Sequence, residues 1–538
     1  MRQAFSNKYV IQDDGRQHVF WMLRFVDADL FRGDLIADYF QSIAPTGYTV
    51  LYRIAARLGA DPIYFSKLLP MALGFLTTVF CFAVTMKLFP VPSAAFVASL
   101  LLNESLWMRN GIVSGTPRAF ISPLFLMFLF FALNNSVVGT VATIALMALF
   151  FPSIMFIALG TLCLRLIKFD ARRLRLSRDR RDYILCATAL VVAAVVLLPF
   201  ARRSSSFGPV VSAAEARNMP EFLARGRMVV FRQGFWQRWL TGSHTGMFAS
   251  AVFYPYTMLL GLTLPLLLLL RRRLPAVERI SGTISLIPRV ILASLAMYFA
   301  ANALLFRLYL PSRFTVSSFR IILALAAGIS AIVLLDAVFR WATSDTTPLS
   351  FYRALMAMAA VVVLIAALWL PRYLNGTWVD TRYKTGQSAE LYEFLSHEPK
   401  DTVIASLASE ADNIPAFAAR PVLVARETAL PFHKGYYSQI RQRAEDLIDA
   451  QYTPDLARLQ QFVRDYRVGF FLVDRDAFEP GYVLSDKWLM QYRPAARNAI
   501  DHLSNGAVPA LAKLVDRCSV LETNNMKLIP SDCILKAP

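Results

Sequence analysis

The chain has 538 residues, of which 56% are hydrophobic, and its formal net charge at pH 7 is +19. Soluble domains average about 45–50% apolar residues, so this composition excludes an ordinary soluble protein and indicates a polytopic membrane protein. In such a protein, excess positive charge mostly reflects loops that face anionic lipid, so it does not indicate a nucleic-acid partner.

The first 64 residues are rich in aspartate and contain no long apolar run. Apolar residues recur at helical spacing between residues 35 and 58, and Pro45 interrupts them. This pattern predicts two short helices, which either lie in the membrane interface or pack on the membrane domain. We therefore interpret residues 1–64 as an exported acidic loop with interfacial helices.

Residues 65–371 form the predicted transmembrane domain, with about ten spans. A helix that crosses lipid needs about 20 apolar residues. Candidate spans lie at 66–88, 93–108, 117–133, 184–200, 249–270, 286–306, 319–339 and 354–371. The stretch 137–168 is either one long helix or two short ones. Because Pro152 cannot continue a helix without losing a hydrogen bond, two helices are favoured.

Charge predicts which loops face the cytoplasm. The basic stretches 165–181 and 271–279 should be cytoplasmic, which places 201–248, 307–318 and the tail outside. Residues 1–64 are outside if 137–168 forms two helices, and inside if it forms one. The first ten residues have no apolar core typical of a signal peptide. We therefore expect one further span upstream of Met1; alternatively, the first span carries its own short N-terminus across. The predicted location is the bacterial inner membrane, with the tail on the non-cytoplasmic side.

Residues 372–538 are the predicted exported soluble α/β domain, because short apolar runs alternate with helical patterns. Strands are predicted at 401–408, 420–427 and 468–476, and helices at 388–397 and at 453–466, the second with Thr453 as its N-cap. The polar stretch 427–443 is either a glycan-binding loop, with Tyr436 and Tyr437 stacking on sugar rings, or a plain surface loop. Cys518 and Cys533 are a candidate disulfide in an oxidising compartment.

The stretch DLIADYFQSIAPTGYTVLYRIAARLGADPIYFSKLLPMALGFLTTVFCFAVTMKLF (34–89) and the acidic pair before it resemble the first loop and second helix of the GT-C superfamily. These are membrane glycosyltransferases that use polyprenyl-phosphate sugars, such as the protein O-mannosyltransferases and the lipid A aminoarabinose transferase. The matching positions are Asp13, Asp14, His18, Phe20, Pro45, Thr46, Gly47, Tyr48, Leu58, Gly59, Lys87, Leu88 and Phe89. The chain departs from the family in having Asp-Asp for Asp-Glu, Thr46 for a second proline, and no preceding helix. Either Asp13 or Asp14 can therefore be the equivalent residue.

The resemblance implies glycosyl transfer, which needs a general base for the acceptor hydroxyl and positive charge for the departing phosphate. The candidate catalytic residues are Asp13, Asp14 and Asp34. The candidate substrate-binding residues are Arg313, Arg307, Arg118, Arg232, His18 and Tyr48. Arg109 and Arg320 belong to the same arginine clusters. The alternative is that these acids are loop surface, with Asp34 a helix N-cap, and that the arginines touch lipid headgroups.

Other sites are not indicated by the sequence. There is no phosphate-binding loop and no G-x-G-x-x-G, so no nucleotide cofactor is expected. His244 stands alone and no zinc spacing occurs, although a divalent cation could assist the phosphate. The predicted function is transfer of a sugar from a polyprenyl-phosphate donor to a glycan, lipid or protein acceptor of the cell envelope. The alternatives are a glycolipid transporter or flippase, and a non-catalytic protein of envelope assembly.

Overall fold

The computed structural model describes residues 2–170, 173–202, 206–231, 233–249, 252–343, 350–369 and 380–538. It is mostly helical, with a membrane region followed by an α/β domain, so the predicted fold class is confirmed. Five helical stretches in these ranges are long and apolar enough to cross a bilayer, and shorter apolar helices accompany them. The principal helices of this region are Pro62–Leu88, Pro92–Met108, Ile121–Leu133, Val137–Phe150, Pro152–Arg165, Arg180–Arg202, Leu264–Leu269, Leu286–Ala303, Val316–Thr343 and Ser350–Trp369.

Prolines start several of these helices. Pro152 occupies the first turn of Pro152–Arg165, and Phe151 before it has φ −156° and ψ 85°, outside the helical region. The first turn tolerates proline because its N–H groups have no partner within the helix. The stretch 137–168 therefore forms two helices, Val137–Phe150 and Pro152–Arg165, as the sequence predicts.

The predicted span 249–270 is not one continuous helix. The described part of it forms a 3₁₀ helix, Tyr256–Thr263, followed by the short α-helix Leu264–Leu269. Pro255 precedes the 3₁₀ segment and Pro265 lies in the first turn of the α-helix, so both stand at helix starts. Leu323 O and Ala326 Cβ of the neighbouring helix lie where a side chain on Gly261 would be placed. The glycine thus permits close packing.

The loops gather into two groups at opposite ends of the helices. At one end, which we call the upper face, Ser312 N donates to His244 O (3.2 Å) and Asn110 N donates to Asp380 O (3.1 Å). At the other end, the lower face, Ser281 N donates to Leu88 O (2.8 Å). The residues predicted outside lie at the upper face, and the basic stretches predicted inside begin or lie at the lower face.

The N-terminal segment joins the upper face. Its strand Val10–Gln12 pairs antiparallel with Tyr383–Thr385, so the N-terminal segment shares a two-stranded sheet with the start of the C-terminal domain. Its helical elements are Gln3–Phe5, Gly15–His18, Phe20–Phe25, Leu35–Ile43 and Thr46–Arg57. The last two are the predicted pair, separated at Pro45. Tyr39 of Leu35–Ile43 stacks at 3.6 Å on Tyr436, so this helix packs against the C-terminal domain.

The C-terminal domain contains a four-stranded sheet in the order Val403–Ser406, Val468–Asp474, Met526–Pro530, Leu521–Glu522. The first pair is parallel and the others are antiparallel. Helices of the domain are Ala389–His397, Ile414–Phe417, Lys434–Tyr452, Leu456–Tyr466, Pro480–Ser485, Ala495–Ser504, Ala510–Cys518 and Ser531–Leu535. Cys518 and Cys533 form a disulfide that ties the last two helices together.

Three local predictions in this domain are wrong. Residues 420–427 form no strand; only Val422 bridges Ile404. The helix predicted at 453–466 is present as Leu456–Tyr466, but its N-cap is Asp455, which accepts from Ala457 N (2.9 Å), and not Thr453. Tyr436 and Tyr437 are buried rather than displayed to a glycan, because the predicted loop continues into the helix Lys434–Tyr452.

Candidate functional site

The upper face contains a cavity of about 330 Å³ between the helices and the C-terminal domain. Five arginine side chains line it, and we call it the arginine cavity: Arg109, Arg118, Arg313, Arg320 and Arg382. Its other polar walls include Asn110, Ser243, His244, Ser312 and Asp380. Residues from four separate parts of the chain therefore meet here.

The loop between Arg109 and Arg118 approaches its neighbours closely because it contains two glycines. Gly111 lies against the guanidinium of Arg320; a Cβ there would be 2.8 Å from Nη1. Gly115 has φ +59°, and a Cβ would lie 2.4 Å from Ser66 O. A side chain at either position would push this loop away from the cavity.

A second loop brings His244 and Arg313 to the cavity. Tyr298 Oη lies 2.8 Å from Thr245 O and 3.0 Å from Trp239 O, which pins the loop to the helix Leu286–Ala303. Ser312 Oγ donates to Ser243 O (2.9 Å). Burial, together with the positive charges of Arg313, Arg382 and Arg118, lowers the pKa of His244 to about 4. Its imidazole is therefore neutral at pH 7.

The third segment that lines the cavity consists of residues 380–382, which pack against the loop after Met108. Asp380 N donates to Met108 O (2.8 Å), and Asp13 N donates to Arg382 O (2.9 Å). The Asp380 carboxylate lies 3.5 Å from Arg382 Nε. This segment joins the N-terminal segment to the loop that follows Met108, and it adds one carboxylate and one guanidinium to the cavity.

Asp14 is the carboxylate that reaches the arginines from the N-terminal segment. Its Oδ2 lies 2.7 Å from Arg118 Nη2, and its side chain is 15% exposed. Burial acts to raise the pKa of Asp14, but Arg118, His18, Arg313 and Arg382 outweigh it, so the pKa is below its ordinary value. Burial lowers the pKa of the adjacent His18 to about 4. At neutral pH, Asp14 is therefore ionised beside a neutral imidazole.

Three of the arginines have no counter-ion in the part of the chain that the structure describes. Within the described residues, the side chains of Arg109, Arg313 and Arg320 form no ion pair and no hydrogen bond, and the Nε of each is buried. Arg320 is only 7% exposed, and Arg109 stacks on the ring of Tyr254 at 4.0 Å. An uncompensated buried charge is costly, so this arrangement favours a bound anion. Guanidinium groups suit phosphate because they donate two parallel hydrogen bonds.

Asp13 faces away from the arginine cavity, although it is adjacent to Asp14 in sequence. It accepts a hydrogen bond from Arg16, which also lies 3.6 Å from Asp412 and 3.5 Å from Glu427. Arg227 lies 3.3 Å from Glu427. We call these five residues the junction cluster, because they join the N-terminal segment to the C-terminal domain. Here Asp13 is engaged in an ion-pair network.

The other predicted site residues lie elsewhere. Asp34 caps the helix Leu35–Ile43, accepting from Ala37 N (2.7 Å), and lines a separate cavity of about 230 Å³. Burial raises the pKa of Asp34 to about 6. Tyr48 is fully buried beside Tyr52. Arg307 is exposed and does not line the arginine cavity, and Arg232 is outside the described residues.

Sequence reasoning missed part of the cavity. It selected Arg118 and Arg313, grouped Arg109 and Arg320 with them, and did not consider Asp380 or Arg382. No local pattern distinguishes these last two residues. Only the pairing of Val10–Gln12 with Tyr383–Thr385 shows that they return to the acidic pair.

The described acidic and histidine side chains do not form a cluster around the cavity. No group of three or more Asp, Glu, His or Cys side chains converges in the described ranges. Asp14 and Asp380 are each paired with an arginine. Guanidinium groups are therefore the cationic groups that these residues offer to a phosphate.

Comparison with known proteins identifies the fold. No protein-family model and no curated protein sequence matches the chain. The structure is similar to a crystal structure of the oligosaccharyltransferase of Archaeoglobus fulgidus tethered with an acceptor peptide, with TM-score 0.50 and 13% identity. The match covers 84% of this chain and 63% of that chain. The match shows that the two chains share a fold.

Two further solved structures align over nearly the whole of this chain. ArnT from Cupriavidus metallidurans in the apo state matches with TM-score 0.45 and 14% identity, covering 98% of this chain and 94% of that one. ArnT bound to undecaprenyl phosphate matches with TM-score 0.46 and 15% identity, covering 98% and 95%. The fold that the resemblance in the sequence implies is confirmed by the match to the archaeal oligosaccharyltransferase, of which this chain spans about 63%.

Proposed function

We propose that this protein transfers a sugar from a polyprenyl-phosphate donor to a cell-envelope acceptor on the non-cytoplasmic side of a bacterial inner membrane. The single observation that carries the proposal is the arginine cavity, which is lined by three guanidinium groups without a counter-ion among the described residues and by Arg118, which pairs with the ionised Asp14. Such a cavity offers both the charge that a lipid phosphate needs and a base for the acceptor. The fold shared with an archaeal oligosaccharyltransferase supports glycosyl transfer as the kind of reaction.

In the proposed reaction, Asp14 accepts the proton of the acceptor hydroxyl as its oxygen attacks the anomeric carbon. The bond between that carbon and the phosphate oxygen breaks, and the electron pair leaves with the phosphate. Arg118, Arg313 and Arg320 stabilise the charge that develops there. A single displacement of this kind inverts the anomeric configuration.

Arg118 has a double role in this scheme. It is ion-paired with Asp14 and lines the same cavity as the unpaired arginines. When a donor phosphate competes for its guanidinium, the ion pair with Asp14 weakens, and the pKa of Asp14 rises toward its ordinary value. Donor binding would thereby make the carboxylate a better base when the acceptor arrives.

The orientation in the membrane follows from charge and from the disulfide. The basic stretches 165–181 and 271–279 connect helices at the lower face, opposite the arginine cavity, and basic loops are typical of the cytoplasmic side. The disulfide Cys518–Cys533 supports an oxidising compartment for the C-terminal domain. Both observations support an arginine cavity that opens outside the cytoplasm.

The test measures transfer of radiolabelled sugar from a polyprenyl-phosphate donor into lipid and polymer fractions of membranes that contain the full chain. Asp14→Asn should lower the rate about 10²- to 10⁴-fold, because it removes the general base. Asp13→Asn is the matched control and should remain active, because that carboxylate faces the junction cluster. Full activity of Asp14→Asn, or no transfer by the wild type, would contradict the proposal and favour a glycolipid transporter or an assembly protein.

A further inference from the structure

The lower face contains a second basic cavity that the proposed reaction does not use. It has a volume of about 230 Å³ and lies between the turn after Ile121–Leu133, the end of Pro152–Arg165 and the start of Leu286–Ala303. Arg165, Lys168 and Arg289 line it. It is at the opposite end of the helices from the arginine cavity, so the two cavities are distinct sites.

One acid accompanies these three bases. Asp182 has a 2% exposed side chain, accepts from Ser177 Oγ (2.6 Å), and pairs with Arg165 (2.7 Å) and Lys168 (3.2 Å). Arg165 also donates to Ala132 O (3.0 Å), so its donors are used inside the protein. Arg289 forms no ion pair and no side-chain hydrogen bond with any described residue. The cavity therefore has a positive excess, and Arg289 is the free donor.

The other residues that line the cavity are partly apolar and partly polar. Leu133, Leu162 and Leu286 provide apolar surface, while Thr283 and Ser285 provide hydroxyl groups. The basic hairpin Ile167–Asp170 and Arg173–Leu176 begins beside it, and Arg178, Arg180 and Arg181 beyond it are exposed. A phosphate group that carries acyl chains would contact both the basic and the apolar residues of the cavity. A basic face also attracts an anionic bilayer surface.

We infer that this lower-face cavity binds the phosphate headgroup of an anionic phospholipid, with Arg289 as the principal donor to the phosphate. The lipid would hold together the ends of three helices that otherwise meet around one buried ion-pair cluster. Inorganic phosphate presents the same chemistry without the acyl chains. The apolar wall distinguishes the two ligands, because only the acyl chains of a lipid can pack against it.

The experiment uses the full chain purified in detergent and native mass spectrometry with three probes: dioctanoyl-phosphatidylglycerol, dioctanoyl-phosphatidylcholine and inorganic phosphate. The wild type should retain one phosphatidylglycerol in preference to phosphatidylcholine. Arg289→Gln should weaken this binding by about tenfold or more, because a hydrogen bond between charged groups is lost. Arg289→Lys should restore part of it.

Arg272→Gln is the matched control, because Arg272 is exposed on the same face and does not line the cavity. It removes the same charge and should bind phosphatidylglycerol as the wild type does. The inference is overturned if Arg272→Gln and Arg289→Gln weaken binding equally, if phosphatidylcholine binds as tightly, or if inorganic phosphate binds and the lipid does not.

Discussion

The arginine cavity and the junction cluster have opposite net charge, although the adjacent residues Asp14 and Asp13 contact one each. Five arginines and Asp380 line the arginine cavity, and Asp14 pairs with one of these arginines, Arg118. In the junction cluster, Asp13, Asp412 and Glu427 surround Arg16 and Arg227. Among the described residues, three arginines of the cavity have no counter-ion, whereas every member of the cluster has one.

This difference in charge distinguishes a ligand-binding site from a structural ion-pair network. A buried ion pair with both partners present holds elements together, and removing one partner leaves an uncompensated charge. A buried cation without a partner weakens the free protein and becomes favourable when an anion arrives. The arginine cavity therefore fits a ligand site, and the junction cluster fits a fixed connection between the N-terminal segment and the C-terminal domain.

The largest effect on stability is expected from Arg16→Gln. This change leaves three carboxylates close together in a buried site, where Arg16 itself is 7% exposed. Breaking such a pair typically costs about 3–5 kcal/mol. Thermal unfolding of the purified protein in detergent should therefore shift clearly downward; an unchanged Tm would show that the cluster does not hold the domains together.

Arg320→Gln should behave in the opposite way. It removes a buried charge that has no counter-ion among the described residues, so the stability of the free protein should not fall. Donor affinity should fall about 10- to 100-fold, because a hydrogen bond to a charged group contributes roughly 1.5–3 kcal/mol. Isothermal titration with a short-chain polyprenyl phosphate measures the affinity, and Arg307→Gln, at an exposed arginine outside the cavity, is the control.

A smaller effect concerns pH. Burial raises the pKa of Glu427 from 4.5 to about 7, and the neighbouring acids Asp13 and Asp412 add to this against Arg227 and Arg16. Between these values Glu427 binds more proton in the folded chain than in the unfolded chain, so its own contribution to stability falls as the pH rises from about 5 to about 7, whereas the lowered pKa values of His18 and His244 act in the opposite direction. The Tm of Glu427→Gln should therefore rise relative to that of the wild type as the pH increases over this range. A difference in Tm between the two proteins that does not change with pH would contradict the assignment.

The smallest expected effect is that of chelation. Because arginines are the cationic groups around the proposed phosphate position, EDTA should leave the transfer rate unchanged within about twofold. Loss of activity on adding EDTA, restored by Mg²⁺ or Mn²⁺, would show that a cation supplements the arginines and would make the carboxylates of Asp14 and Asp380 its first candidate ligands.

Much of the helical architecture could be predicted from the sequence, because lipid imposes a length and a composition on each span. Pro152 correctly predicts two helices in 137–168. The predicted helix 249–270 is wrong because an apolar run does not show where 3₁₀ geometry replaces the α-helix.

The candidate site could be predicted only in part. Two adjacent acids have the same local pattern, and only tertiary contacts direct Asp14 to Arg118 and Asp13 to Arg16. The pairing of residues more than 350 positions apart, which brings Arg382 to the cavity, cannot be read from either segment alone.

That long-range pairing also sets an order of assembly. Val10–Gln12 is synthesised before the membrane helices, and its partner Tyr383–Thr385 emerges only after the helix Ser350–Trp369. The two-stranded sheet therefore cannot form until the membrane helices have been synthesised. A nascent protein whose helices are already inserted thus still lacks Arg382 and the backbone contact that holds Asp13, so maturation of the cavity is a late event in biogenesis.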